Sequence, residues 1–225
     1  MPLLTLVLGL LPGFAWLFFY LQEDPHPEPK RLIALTFLMG AAAAVLALGL
    51  QLASGVALRA SGVGEVSMLA LLFFAFIEEG LKFGAAYFSV HRNPSFDEPI
   101  DAVIYTVVAA LGFATVENLG AIHGTGSETA LIASAFETAS FRFVGATLLH
   151  TLTSGLIGYY WALSIRNFGK GGKLLVFGIL LGTVLHAIFN YLILEYGIFM
   201  YALIFVAILG FFAFHDFEKL REEKV

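Results

Sequence analysis

The chain has no cysteine, which excludes disulfide cross-links and thiolate metal sites from the start. It is also poor in charge: 13% of its 225 residues are Asp, Glu, Lys or Arg, against about 25% in soluble domains. No basic arm is present and the formal net charge is -5, so the electrostatic footprint of a nucleic-acid partner is missing. No polar stretch is long enough to form a sizeable soluble domain. Nor do apolar and polar residues alternate over segments of roughly ten residues, as in a transmembrane β-barrel. What fills the chain is apolar residue, 59% of the total, with a mean hydropathy of +0.87. Water offers no place for that much apolar surface, and lipid is the expected solvent.

The apolar residues fall in continuous runs of about the 20 residues that a membrane-crossing helix needs. The expected fold is an all-α integral membrane protein, a bundle of about seven transmembrane helices forming one polytopic domain over 1–225. The first run, about Leu3 to Leu21, has no basic leader and ends in Trp16, Phe18, Phe19 and Tyr20 rather than small cleavage-site residues. It reads as a retained helix with an aromatic interfacial end, not a signal peptide. A proline-broken polar loop leads to helix 2, about Leu32 to Ala53, rich in the Ala and Gly that favour close packing. Helix 3 is expected over about Val66 to Val90, helix 4 over Ile100 to Ile122 and helix 5 over Phe141 to Ile165. Helices 6 and 7 follow at about Leu174 to Leu194 and Ile198 to Phe214. The segment from His123 to Ser140 reads either as an interfacial helix or as an extension of helix 5. No internal repeat is visible, which argues against an inverted-repeat transporter.

Seven spans place Lys30, Arg31, Arg92, Arg166, Lys170, Lys173, Lys219, Arg221 and Lys224 on one side. Arg59 and Arg142 fall on the other side, and Lys82 lies within the membrane. Because Lys and Arg concentrate in cytoplasmic loops, the N-terminus is expected outside and the C-terminus in the cytoplasm.

Against this apolar background the buried polar residues stand out. An ionisable side chain at the bilayer centre costs roughly 2.5–3.5 kcal/mol on insertion scales. Glu78, Glu79, Lys82 and Glu117 must therefore be paired inside the bundle or hydrated in a cavity. Glu78 and Glu79 project about 100° apart around their helix, and Lys82 lies within reach of either. Asn118 adjoins Glu117, His150 lies mid-helix, and His186 and Asn190 share a face of one helix at i,i+4 spacing. At about 1.5 Å per residue, the Glu, His and Asn groups of four helices fall between the midplane and the outer leaflet. His26, His91, His123 and His215 lie in loops or at helix ends and are given no role. Asp101 suits a helix start, remote from the cluster.

These residues fall in the segments Glu78-Glu-Gly-Leu-Lys82, Asp101-Ala-Val-Ile-Tyr105, Gly112-Phe-Ala-Thr-Val-Glu-Asn118, His150 after Arg142, and His186-Ala-Ile-Phe-Asn190. In order and spacing the ensemble resembles the PrsW family of intramembrane proteases, related to the CAAX-protease and bacteriocin-processing superfamily. The resemblance covers about residues 75–195, within a core motif region of about 66–195. It departs at Ala102, where the family commonly has Gly, and helices 1, 2 and 7 contribute no recognisable motif. The resemblance implies hydrolysis of peptide bonds in membrane-anchored protein substrates, anti-sigma factors among them, on the outer side.

Such hydrolysis needs an activated water, a stabilised oxyanion and a protonated leaving amine. With no cysteine, no Ser-His pairing and no aspartyl dyad, Glu78 or Glu79 is expected to deprotonate water that His150 positions, while His186 and Asn190 stabilise the oxyanion. Glu117 would orient a histidine or complete the water site, Lys82 would hold the glutamate pair, and Asn118 would support them. A variant binds zinc through two His and one Glu, although no HExxH motif exists. In that variant the ligands come from Glu78, Glu79, Glu117, His150 and His186. Two other classes fit the residues alone: a proton-coupled transporter using the Glu/His cluster as a relay, and a scaffold whose polar core only fixes helix packing.

Overall fold

The computed structural model describes residues 3–22, 26–122, 128–166, 171–197 and 199–222. Those residues form eight helices and no strand. They are α1 (Leu3–Gln22), α2 (Lys30–Ala60), α3 (Met68–Val90), α4 (Pro99–Ala121), α5 (Glu128–Val144), α6 (Ala146–Arg166), α7 (Gly171–Tyr196) and α8 (Phe199–Glu222). Among the described residues, α2, α4 and most of α7 are long and apolar enough to cross a membrane. Shorter apolar stretches lie at Leu6–Gln22 and Phe199–Ala213. In α3, every window of that length includes Glu78, Glu79 and Lys82. Large apolar side chains such as Leu38, Val45, Leu52, Phe88, Phe177 and Phe211 are exposed on the outside. Outward apolar surface on this scale is what lipid accommodates and water does not.

α4 is the central helix, buried along almost its whole length and packed by α1, α2, α3 and α6. Its residues are small or β-branched where the neighbours cross. Two glycines make the α2–α4 crossing possible. A Cβ on Gly40 would overlap the backbone carbonyl of Ala109, and a Cβ on Gly112 would overlap that of Phe37. Without a hydrophobic driving force between helices in lipid, such backbone-to-backbone approach supplies the packing energy. The start of α4 is fixed by a capping box: the Asp101 carboxylate accepts from the backbone N–H of Glu98 (2.8 Å) and Asp97 (3.0 Å). Asp101 thus takes the helix-start role its position suggests.

One expected element is corrected. The run Phe141 to Ile165 is not a single helix, because residues 141–144 close α5 and α6 begins at Ala146. The chain turns at Gly145, where a Cβ would press on the carbonyl of Phe141 and the ring of Phe199. Phe141 and Phe199 pack with centroids 4.7 Å apart. Most of the ambiguous segment therefore belongs to a separate helix, while residues 123–127 lie outside the described residues. α5 is docked by Trp16 of α1, which stacks on Phe143 and donates Nε1–H to its carbonyl at 2.9 Å.

Gly112→Ala should lower the unfolding midpoint in detergent by the equivalent of about 1–3 kcal/mol, the usual cost of overpacking. Gly49→Ala is the control, since its Cβ would meet nothing within 4 Å, and it should leave the midpoint unchanged or raise it. Equal midpoints for Gly112→Ala and the native chain would refute the close crossing.

Candidate active site

α3, α4, α6 and α7 bring the expected residues together. Glu78 and Glu79 differ sharply in surroundings, as their angular separation around α3 requires. Glu79 is fully buried and its carboxylate is saturated with donors. Its Oε1 accepts from Lys82 Nζ (2.6 Å), His186 Nδ1 (2.7 Å) and Thr153 Oγ1 (3.1 Å). Its Oε2 accepts from Ser154 Oγ at 3.4 Å.

Among the described residues, Glu78 has one hydrogen bond, from Gln51 Nε2 to Oε1 at 2.7 Å. Its Oε2 is buried without a hydrogen-bond partner, and His186 Nε2 stands 3.5 Å away. Lys82 does not hold the glutamate pair, which corrects the sequence expectation. It pairs with Glu79 alone, lies over the Phe113 ring, and donates to Nδ1 of His150 at 2.8 Å.

That donation assigns the His150 tautomer through the network: with Nδ1 accepting, Nε2–H donates to Glu117 Oε2 at 2.8 Å. Glu117 also accepts from Arg142 Nη2 at 3.0 Å. The same guanidinium donates through Nε to Asn118 Oδ1, and Asn118 Nδ2 donates to Thr147 Oγ1 at 3.1 Å. The His150 and His186 rings meet edge to face at 5.0 Å. Lys82 thus balances Glu79 and Arg142 balances Glu117. Glu78 is the carboxylate left with an amide and an imidazole, and no Lys or Arg bonds to it directly.

A cavity of about 460 Å³ opens among these helices. Gln51, Glu78, Glu117, Arg142, His150, His186 and Asn190 supply its polar lining, and residues such as Ala47, Phe113 and Leu149 its apolar walls. Glu79 and Lys82 are absent from the lining and stand behind it. Asn190 faces the cavity and does not orient His186, a task performed by Glu79. Two contributors escaped the sequence reading. Gln51 is the one amide in the apolar run of α2, a signal in itself for a residue at membrane depth. Arg142 reads in the sequence as a charge at the membrane edge that precedes His150 in the motif series, and nothing local links it to Glu117.

The donor chemistry can be tested against a metal. Glu78, His150 and His186 each present a ligand atom, all within 4.8 Å of one another. Two histidines and a carboxylate are a catalytic zinc set, and tetrahedral bonds of about 2.0–2.1 Å would draw them somewhat closer. His186 is already oriented as such a ligand: with Nδ1–H given to Glu79, its Nε2 faces Glu78, the arrangement in which a carboxylate fixes a metal-binding imidazole. Oε2 of Glu78 is free. At His150, one proton would have to leave the Lys82–His150 pair before Nε2 offered a lone pair. Donor type, number and convergence fit zinc on that condition.

Lys82→Met should leave Glu79 buried without a cation and destabilise the protein by about 3–5 kcal/mol, seen as a lowered unfolding midpoint. Lys82→Met combined with Glu79→Gln should recover a substantial part of the loss. A single variant as stable as the native chain would refute the ion pair as a fold determinant.

Residues 28–214 match the family described as PrsW family intramembrane metalloprotease. The chain is 31% identical over 209 residues to the Protease PrsW of Geobacillus kaustophilus, covering 89% of this chain and 87% of that protein. It is 26% identical over 216 residues to the Protease PrsW of Bacillus subtilis, with 95% and 94% covered. To that of Clostridioides difficile it is 27% identical over 202 residues, with 87% and 82% covered. No solved structure matches the chain. The match runs through α2 to α8 and contains the whole Glu/His cluster, and the chain belongs to the PrsW family, a membrane-embedded peptidase by kinship.

Proposed function

We propose that this peptidase cleaves membrane-anchored proteins, such as an anti-sigma factor, near the outer leaflet, and that Glu78 is the residue that activates water. The observation that carries the reading is the contrast between adjacent carboxylates: Oε2 of Glu78 has no hydrogen-bond partner at the cavity, while Glu79 is held by four donors. A base needs a free lone pair beside the substrate, and Glu78 has one. Glu79 supports the site instead, fixing His186 through Nδ1 and balancing Lys82.

In this mechanism Oε2 of Glu78 takes the proton of a water in the cavity, whose wall the His150 ring forms beside Glu78. Glu117 orients His150 through Nε2 and is itself set by Arg142, with Asn118 completing the clamp. His186 and the Asn190 amide face the developing oxyanion, a task for His186 Nε2–H in its protonated ring. The proton held on Glu78 then passes to the leaving amine. The metal variant is favoured by the convergence of Glu78, His150 and His186 within 4.8 Å. Zinc bound by these three would supply a Lewis acid and a water acidic enough to attack at neutral pH.

The supporting topology is seven spans, with the 17-residue α5 short of a crossing and lying on the outer side. The N-terminus is then outside and the C-terminus cytoplasmic. The absence of native cysteine makes this directly measurable. Ser61→Cys should react with an impermeant maleimide added to intact cells, and Ser95→Cys should react only after lysis. The reverse pattern would invert the orientation.

The function itself is tested by comparing new protein termini in membranes expressing the native chain, Glu78→Gln or His150→Ala at matched expression. Native membranes should gain termini near the outer ends of single-span proteins. Both variants should lose them by a factor on the order of 10² or more. Identical termini throughout would remove the protease reading of this cavity. Zinc near one equivalent per chain in the active preparation, lost in His186→Ala, would select the metal variant, and an active zinc-free preparation would eliminate it.

A further inference from the structure

Gln51 sits on α2, within the matched region but outside the motif segments read from the sequence, and among the described residues its amide makes the one hydrogen bond that Glu78 receives. It also lines the cavity. We propose that Gln51 is the positioning residue of Glu78: its Nε2–H holds Oε1 so that Oε2 stays unpartnered and fixed beside His186 Nε2. The proposal rests on the protease reading of that cavity and adds a residue of a different helix to it.

The two oxygens of Glu78 are chemically unequal. Oε1 is engaged at 2.7 Å, whereas Oε2 is buried and unpartnered, 3.5 Å from His186 Nε2. A glutamate has three side-chain rotors, and holding it in one rotamer costs up to about 2 kcal/mol of entropy. Neither Lys82 nor Arg142 does so here, since they bond to Glu79, His150, Glu117 and Asn118. Without the Gln51 amide, nothing would hold Oε1, and the carboxylate would turn about its rotors, so that Oε2 would lose its fixed place beside His186 Nε2. The same constraint serves a metal, because a ligand oxygen must also be free and aimed.

A purely structural role is the competing explanation. Interhelical hydrogen bonds in membranes average about 0.6 kcal/mol and reach about 1.7, so loss of the α2–α3 link would lower stability alone. Gln51→Met keeps the volume and removes the donor. Gln51→Asn keeps the donor and shortens its reach by one methylene. Ser54→Ala is the control on the same helix, since Ser54 bonds to its own backbone at Leu50.

Each full-length variant is reconstituted in phosphatidylethanolamine–phosphatidylglycerol liposomes with a single-span reporter carrying a fluorophore and quencher across its outer boundary. Both Gln51 variants should lose about 10–100-fold in kcat with KM within about twofold, at unfolding midpoints close to the native one. Ser54→Ala should match the native chain. A second readout needs no turnover. The infrared carboxyl band of Glu78, identified by native-minus-Glu78→Gln difference, should shift in Gln51→Met. An unmoved band, or activity that falls only as far as stability does, overturns the proposal. If the native chain and Glu78→Gln leave the reporter equally intact, the protease reading is what fails, and the infrared band still decides whether Gln51 positions Glu78.

Discussion

The structure depends on neutralising charge where water is scarce. Lys82 sits fully buried at the middle of the bundle, and its ammonium satisfies Glu79 on its own helix and His150 on α6. An ammonium or a carboxylate alone at that depth would carry a desolvation penalty of several kcal/mol. Paired, they become a fixed dipole that orders the two histidines. Glu79 sets His186, Lys82 sets His150, and His150 reaches Glu117, which Arg142 holds from outside. The chain of contacts joins five helices, α3 to α7, and closes around a cavity, leaving out one carboxylate, Glu78, which lines that cavity.

That exclusion gives adjacent residues different work. Glu78 and Glu79 share a helix and a depth, and differ only in the direction they face. Facing α6 and α7, Glu79 meets Lys82, two hydroxyls and an imidazole. Facing α2, Glu78 meets the Gln51 amide, with the His186 ring 3.5 Å from its other oxygen. Pairs of titratable groups held in opposed environments are a general route to separate acid, base and supporting roles. The tight α2–α4 crossing through Gly40 and Gly112 belongs to the same design, because it sets how near α2 comes to the cavity and so where Gln51 stands.

Much of this was legible in the sequence because the solvent is lipid. Uninterrupted apolar runs mark the helices, and any ionisable residue within them stands out against the background. Glu78, Glu117, His150 and His186 stand out that way, as does the Asn190 amide, and all five line the cavity. What stayed illegible depends on rotation and on distant partners. Sequence places Lys82 within reach of either glutamate, and only the packing of α6 shows that it turns to Glu79 and His150. The stretch Phe141 to Ala146 reads as continuous helix, since the Phe199 ring that crowds Gly145 comes from more than fifty residues on. Arg142 looked like a membrane-edge charge because Glu117, its partner, lies on another helix.

The two chemistries open to the site place the same demands on its supporting residues, which explains why the support is so complete. A general base and a metal ligand both require an oxygen of Glu78 that is free, buried and aimed. A protonated oxyanion donor and a neutral metal ligand both require His186 to give Nδ1–H to an acceptor, and they differ only in whether Nε2 carries a proton. Glu79, with its four donors, fixes the first requirement of His186 and leaves the second to whatever stands in the cavity. The proton at Nε2 of His186 is therefore the point at which the alternatives separate, and the residues behind it serve either one unchanged.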